Sequence, residues 1–154
     1  MATADALISS WDSKVQFAYW RPVTAIVEAG NDGNPHTAPD ASWQPLINTP
    51  NYPDYSSGAN NVTAATMRTL QLFFGTDRFA FEVTSLAPQA VQKSRWYYRF
   101  SDAMNDMVEA RILLGIHFRF ADVEGRSQGR RVADWTSSHF LLPLENREHR
   151  GEDK

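Results

Sequence analysis

Apolar and polar positions recur at helical spacing over most of this chain. Leu7, Trp11, Lys14, Ala18 and Arg21 follow at steps of four, three, four and three, which is one helical face. The spacing predicts a first helix from Thr3 to about Tyr19, with Thr3 as its N-cap. Pro22 bends or restarts it, and a short helical stretch runs from Val23 to Glu28. The period then disappears from Gly30 to Tyr55, a stretch with prolines at 35, 39, 45, 50 and 53. So long a loop inside a compact domain either covers a site or forms a flexible arm. Ser57 to Phe74 is again periodic, with Val62, Ala65, Thr69, Leu72 and Phe73 as an inner stripe and Gly75 as the C-terminal cap. "FAFEVTS" reads as a short extended piece. Pro88 opens a further helix that runs to about Ser101 and on through "DAMNDMVEARILL". A final helix spans Glu124 to Phe140. The fold class is all-α, a single helical domain over residues 1–141, with 142–154 as a flexible charged tail.

Composition narrows the function. Of the 154 residues, 42% are hydrophobic and 12% aromatic, which suits a packed globule and not a disordered chain. The formal net charge of -3 gives no basic excess, so neither nucleic acid nor an anionic membrane is expected as a partner. Absence of cysteine excludes disulfides, thiolate metal sites and thiol nucleophiles. No apolar run approaches the roughly 18 residues of a membrane helix. No basic segment followed by an apolar core opens the chain. The expectation is a soluble, cytoplasmic protein, secreted only if an upstream segment exists.

Three segments carry candidate chemistry. In "KVQFAYWRP", Lys14 and Arg21 stand close to two helical turns apart and share a partly apolar face, where two cations call for an anion unless both reach out to water. In "YSSGANNV", a Ser-Gly turn opens a helix, bringing free backbone N–H groups and the positive dipole end to one point, a geometry that binds phosphate-like oxyanions. The plainer reading makes Ser57 an ordinary N-cap. In "ARILLGIHFRF", Arg111 falls on the apolar side of its helix with Met104, Met107 and Val108, where a guanidinium needs an anionic partner. Glu109, Asp106 or Asp122 would serve for a purely structural pair. His117 would lie roughly 120° off that face in a continuous helix, unless Gly115 breaks it.

Taken together, the order is lysine, six residues, Arg-Pro; then Ser-Gly at a helix start; then arginine, five residues, histidine. This signature resembles that of the vanadium-dependent haloperoxidase and type 2 phosphatidic acid phosphatase superfamily. "WRPVTAI", "LQLFFG" and "GIHFRFAD" are similar to the haloperoxidase branch. The resemblance runs from about Trp11 to Asp122 and implies a helical bundle like the C-terminal half of the haloperoxidase fold. It implies that Lys14, Arg21, Ser57, Gly58 and Arg111 hold vanadate, or phosphate in the same place. His117 would be the covalent vanadate ligand or the nucleophile that becomes phosphohistidine. The implied activity is haloperoxidase-like, using vanadate and hydrogen peroxide to oxidise halide. The alternatives are an acid phosphatase acting through phosphohistidine, and a non-catalytic oxyanion-binding helical oligomer.

Three departures bear on whether the chain is an enzyme. The family places an acid–base histidine after Ser-Gly, where this chain has Ala59, and alanine transfers no proton. His36 in the long loop is the substitute to examine, ahead of His139 and His149. An aspartate four positions after the motif histidine often orients it; here that position is Ala121 and the acid is Asp122. Family haloperoxidases also carry more helices before the lysine motif. A chain without them leaves apolar faces uncovered, so a homodimer or higher oligomer is expected through surface such as Trp11, Trp20, Phe73, Phe74, Trp96, Tyr97 and Tyr98. A truncated piece of a longer protein is the other way to account for the size.

Overall fold

Small residues set the packing of this domain. The computed structural model describes residues 1–142. Helix α1, Ala2–Phe17, buries Ala2, Ala6, Ser10 and Lys14 at steps of four. Helix α3, Gly58–Phe74, buries Asn60, Asn61, Ala64 and Ala65. Helix α5, Arg119–His139, buries Ala121, Asp122, Gly125, Gly129, Ala133 and Thr136. These three faces meet, and Ala2, Ala6, Ala65 and Ala133 form the apolar cluster between them. Without bulky side chains the backbones approach closely. A Cβ on Gly125 would stand 2.5 Å from the Ser57 carbonyl oxygen, and one on Gly129 would overlap the Asn61 carbonyl.

Polar groups share this interior. Gln128 accepts from Ser56 Oγ (2.6 Å) and Asn61 Nδ2 (2.7 Å), and its own amide donates to Ser9 Oγ (2.6 Å). One side chain of α5 thereby ties α1 to the start of α3. Buried polar groups joined in this way specify a register that alanine contacts alone would leave loose.

Helix α1 ends at Phe17 because Ala18 turns left-handed, with φ 43°. Ala18 and Arg21 therefore lie beyond the helix, and the face that buries is that of Ala6, Ser10 and Lys14. Leu7 and Trp11, read from spacing as sharing the Lys14 face, are both 44% exposed. The inner stripe expected on α3 fails at its C-terminal end, where Leu72 is 40% and Phe73 80% exposed. Helix α2, Pro22–Val27, starts on its proline and passes into a 3₁₀ turn, Ala29–Asn31. The loop expected from Gly30 to Tyr55 follows and is pinned at intervals. Leu46 N–H donates to Leu114 O (3.0 Å), and Asp54 N–H to Tyr19 O (2.9 Å).

The helix expected from Pro88 is replaced by a hairpin. Strands β1, Arg78–Thr84, and β2, Ser94–Arg99, pair antiparallel with Phe81 opposite Tyr97. The aromatic run "RWYYRF" suits a pleated, half-buried surface better than a helix. Phe79 and Phe81 stack on Phe100 at 5.5 and 5.3 Å between ring centroids. Helix α4, Phe100–Leu113, begins there, and its Ser101 donates from both N–H (2.9 Å) and Oγ (2.6 Å) to Asp77. The class is all-α with this one small hairpin added. Gly115, at φ 75°, turns the chain between α4 and α5, so Arg111 and His117 do not share a continuous helix. No helix among the described residues is long and apolar enough to cross a membrane. The tail expected over 142–154 falls, past Leu142, outside the described residues.

The close helix contact gives the first expectation. Alanine ordinarily favours a helix over glycine by roughly 0.5–1 kcal/mol. At position 129 the added methyl meets backbone, and Gly129→Ala is expected to destabilise by about 1–3 kcal/mol. Chemical denaturation followed by circular dichroism measures it. A stabilised variant would mean that α3 and α5 lie farther apart.

Candidate functional site

Lys14 enters the interior from the last turn of α1, 1% exposed, and its stem lies along the start of α3. Its ammonium donates to the carbonyls of Pro53 (2.7 Å) and Asp54 (2.9 Å). Burial, and then the charge of Arg21, lower its pKa to about 8.

Arg21 sits in the extended link after α1, also buried. Its Nε donates to Tyr52 O (2.9 Å), and its Nη1 to Ile116 O (2.8 Å) and His117 Nε2 (3.1 Å). The Tyr52 ring covers both cations, 5.2 Å from Lys14 Nζ and 5.0 Å from Arg21 Cζ.

Arg111 comes from the last turn of α4 and interacts electrostatically with Lys14, Arg21 and His117. Its Nε is buried with no hydrogen-bond partner, and burial works first against its charge. The Asp122 and Asp54 carboxylates offset part of that cost.

Ser57 stands at the N-cap position of α3, 0% exposed, yet its side chain makes no capping bond. Its Oγ instead accepts from Asn60 Nδ2 (3.2 Å). The reading of Ser57 as an ordinary N-cap therefore does not hold, and the first N–H groups of α3 have no partner within the helix. A Cβ at Gly58 would make only ordinary contact, 3.5 Å from Ser10 Oγ and 3.9 Å from Lys14 Cε. Nothing in the packing demands glycine there.

His117 lies just past the Gly115 turn, 5% exposed, with its pKa lowered chiefly by burial. Its Nδ1 faces Asp54 Oδ1 at 2.5 Å, a close but bent contact, while Asp122 Oδ1 is 3.9 Å away. Asp122 accepts from Asn60 Nδ2 (2.7 Å), and burial raises its pKa to about 6.

The structure thus gathers Lys14, Arg21, Ser57, Gly58, Arg111 and His117 around the start of α3. It also supplies two residues that the sequence reading did not single out. Asp54, 0% exposed, takes the place beside the imidazole expected of Asp122. Asn60 links Ser57 to Asp122. The signal for Asp54 was an acid just before the Ser-Gly turn, in a proline-rich loop where aspartate ordinarily reads as a turn residue. His36 is not brought in: it is exposed, and its backbone N–H donates to Asn34 Oδ1. His139 is exposed and stacks on Trp135. His149 lies outside the described residues.

The donor set fits an oxyanion on structural grounds. Three cations converge with a free helix N-terminus, a buried guanidinium N–H lacks an acceptor, and the imidazole Nε2 meets only an N–H donor.

Comparison with known proteins places the fold. The family model described as the VCPO second helical-bundle domain matches residues 1–145. The structure of a bacterial vanadium-dependent iodoperoxidase is similar at 33% identity and a TM-score of 0.75, over 89% of this chain and 31% of that one. Holo-type and apo-type structures of a bacterial vanadium-dependent chloroperoxidase are similar in fold at 24% identity and a TM-score of 0.70, over 86% of this chain and 32% and 33% of theirs. The chain therefore spans about a third of the length of these structures. No curated protein sequence matches it. A family match over nearly all of its residues, with the iodoperoxidase likeness beside it, makes the chain a member of the haloperoxidase-like superfamily, as a second helical-bundle domain.

Proposed function

We propose that this domain holds vanadate and belongs to a haloperoxidase-like enzyme that oxidises halide with hydrogen peroxide. One observation carries the reading. Two buried cations, Lys14 and Arg21, and the half-buried Arg111 gather near the start of α3, and the buried Nε of Arg111 has no partner. Bound vanadate would supply a Lewis-acidic centre able to activate peroxide toward halide.

The chain's own residues do the rest. Lys14, Arg21 and Arg111 neutralise the anion's oxygens in a site where Tyr52 limits water. The Ser57 hydroxyl and the Gly58 N–H add donors at the helix end. His117 presents Nε2 as the ligand. Arg21 Nη1 now donates to that nitrogen, so Arg21 must turn its N–H toward the anion for the lone pair to become free.

Ala59 supports a second reading, an oxyanion-binding domain without turnover. The first turn of α3 carries a methyl where the family keeps its proton-transferring histidine. We further propose that the domain works as a homodimer or higher oligomer, because Ile8, Val15 and Phe73 are 70%, 78% and 80% exposed.

Calorimetric titration of vanadate into the protein, beside His117→Ala, tests the site. Binding by the wild type that is lost in His117→Ala is expected, and halide oxidation by the loaded protein would then separate catalysis from simple binding. No binding in either protein would overturn the reading. Hydrolysis of a chromogenic phosphate ester, blocked by vanadate, would turn it toward a phosphatase.

Sulfate binding should depend on pH through Lys14. Its ammonium loses its proton near pH 8, and a bound anion would hold that proton more tightly, so sulfate affinity is expected to fall as pH rises above about 8. Lys14→Arg, cationic throughout, should keep its affinity past that point. Equal falls in both proteins would exclude Lys14 as the source. Light scattering on a size-exclusion column tests association, and a monomer mass at high concentration would exclude the oligomer.

A further inference from the structure

Two contacts, one at each nitrogen of the His117 ring, fix where its proton sits. At Nε2 the neighbour is Arg21 Nη1, 3.1 Å away. A guanidinium carries only donors, so a hydrogen bond there requires the lone pair on Nε2. At Nδ1 the neighbour is Asp54 Oδ1, 2.5 Å away. The contact is bent, but two bare acceptors would repel at that separation, which favours the N–H on Nδ1.

That proton belongs to the imidazole. Asp54 Oδ1 also faces Arg21 Nη1 at 3.5 Å, and Oδ2 accepts from Phe118 N–H at 3.4 Å. Both neighbours present N–H donors, so the carboxylate serves them as an acceptor. The surrounding chain holds Asp54 still: its N–H donates to Tyr19 O (2.9 Å), and its own carbonyl accepts from Lys14 Nζ (2.9 Å).

We propose that Asp54 is the positioning residue of this site, its buried carboxylate keeping the His117 proton on Nδ1 and so leaving Nε2 as the nitrogen that can bond to an oxyanion's central atom. The role concerns the anion-free ring and rests on the proposed function only for its use. A ligand imidazole is ordinarily oriented by the partner of its other nitrogen. Asp122, 3.9 Å from Nδ1 and engaged by Asn60, does not hold this proton.

The proposal also fixes a sign that simple electrostatics would reverse. Removing a carboxylate beside three cations should strengthen anion binding if Asp54 acts only through its charge. Asp54→Asn instead offers Nδ1 an amide that can donate as well as accept, and the ring can then move its proton to Nε2 and lose its ligand nitrogen.

The test is nitrogen-resolved NMR of the His117 ring in the full, anion-free chain, for wild type, Asp54→Asn and Asp122→Asn. The wild type should show a protonated Nδ1 and a bare Nε2. Asp54→Asn should move population to the opposite tautomer, and Asp122→Asn should not. A wild-type ring protonated on Nε2, an Asp54→Asn ring unchanged from wild type, or a switch caused by Asp122→Asn would each overturn the role. The wild-type and Asp122→Asn measurements decide the matter if Asp54→Asn fails to fold. Vanadate titration of the same samples should show affinity reduced about 10–100-fold in Asp54→Asn. Tighter binding there would mean that Asp54 acts only by charge. A wild type with the expected tautomer and no vanadate affinity would sink the vanadate reading while leaving the Asp54 role intact.

Discussion

Two basic side chains buried from separate segments, with the half-buried Arg111 beside them, must be neutralised there, and the rest of this structure is arranged around that constraint. An ion removed from water costs several kcal/mol unless partners replace its hydration. Lys14 and Arg21 find theirs largely in main-chain carbonyls, those of Tyr52, Pro53, Asp54 and Ile116. The path of the segment before α3 follows from that need. Tyr52, preceding a proline, is biased toward an extended backbone, which helps successive carbonyls turn toward the cations. Carbonyls carry only partial charge, so Asp54 and Asp122 complete the balance at the imidazole and near Arg111.

Such a cluster can form only where helices come close, and the small-residue faces allow it. Gly125 and Gly129 let α5 lie against the start of α3, which brings Asp122 to Asn60 and the Ala121 carbonyl to the Ser57 N–H at 3.1 Å. The same closeness limits apolar burial. Alanines line the contact between α1, α3 and α5, and the larger apolar packing gathers at Phe100, Met104 and Val108 of α4. Polar bridges such as Gln128 therefore carry more of the register here than in a core of leucines and phenylalanines.

Helix starts and stops and the basic motif residues were legible in the sequence because both follow local rules. Pro22 opens α2, Gly75 turns left-handed after α3, and the motif residues Lys14, Arg21, Ser57, Arg111 and His117 could be picked out by spacing. The buried faces were harder to read. Periodicity grouped Leu7 and Trp11 on the Lys14 face, whereas close helix packing buried Ala6 and Ser10 there, a choice made by tertiary contact and not by hydropathy. The hairpin was missed because Pro88 resembles a helix start, while the strand preference of Trp96, Tyr97 and Tyr98 pointed the other way. Asp54 was missed for a related reason. Its role depends on His117 and Arg21, each at least thirty residues away in sequence, and no local pattern reports that meeting.

The opposed demands on binding and turnover meet at position 59. Anion attraction depends on summed charge and on oriented N–H groups, and a methyl at Ala59 removes neither. Proton transfer depends on one titratable atom within reach of the reacting oxygen, and the methyl removes that completely. The two properties are thus physically separable in this chain. On the proposed reading, the cations of Lys14, Arg21 and Arg111 and the N-terminus of α3 would sustain an oxyanion whatever the chemistry that follows. Turnover would require the bound group to do with its own protons and solvent what the family histidine does elsewhere. That demand falls more lightly on peroxide activation, where the anion itself is the catalyst, than on phosphate ester cleavage, where the leaving group needs an acid.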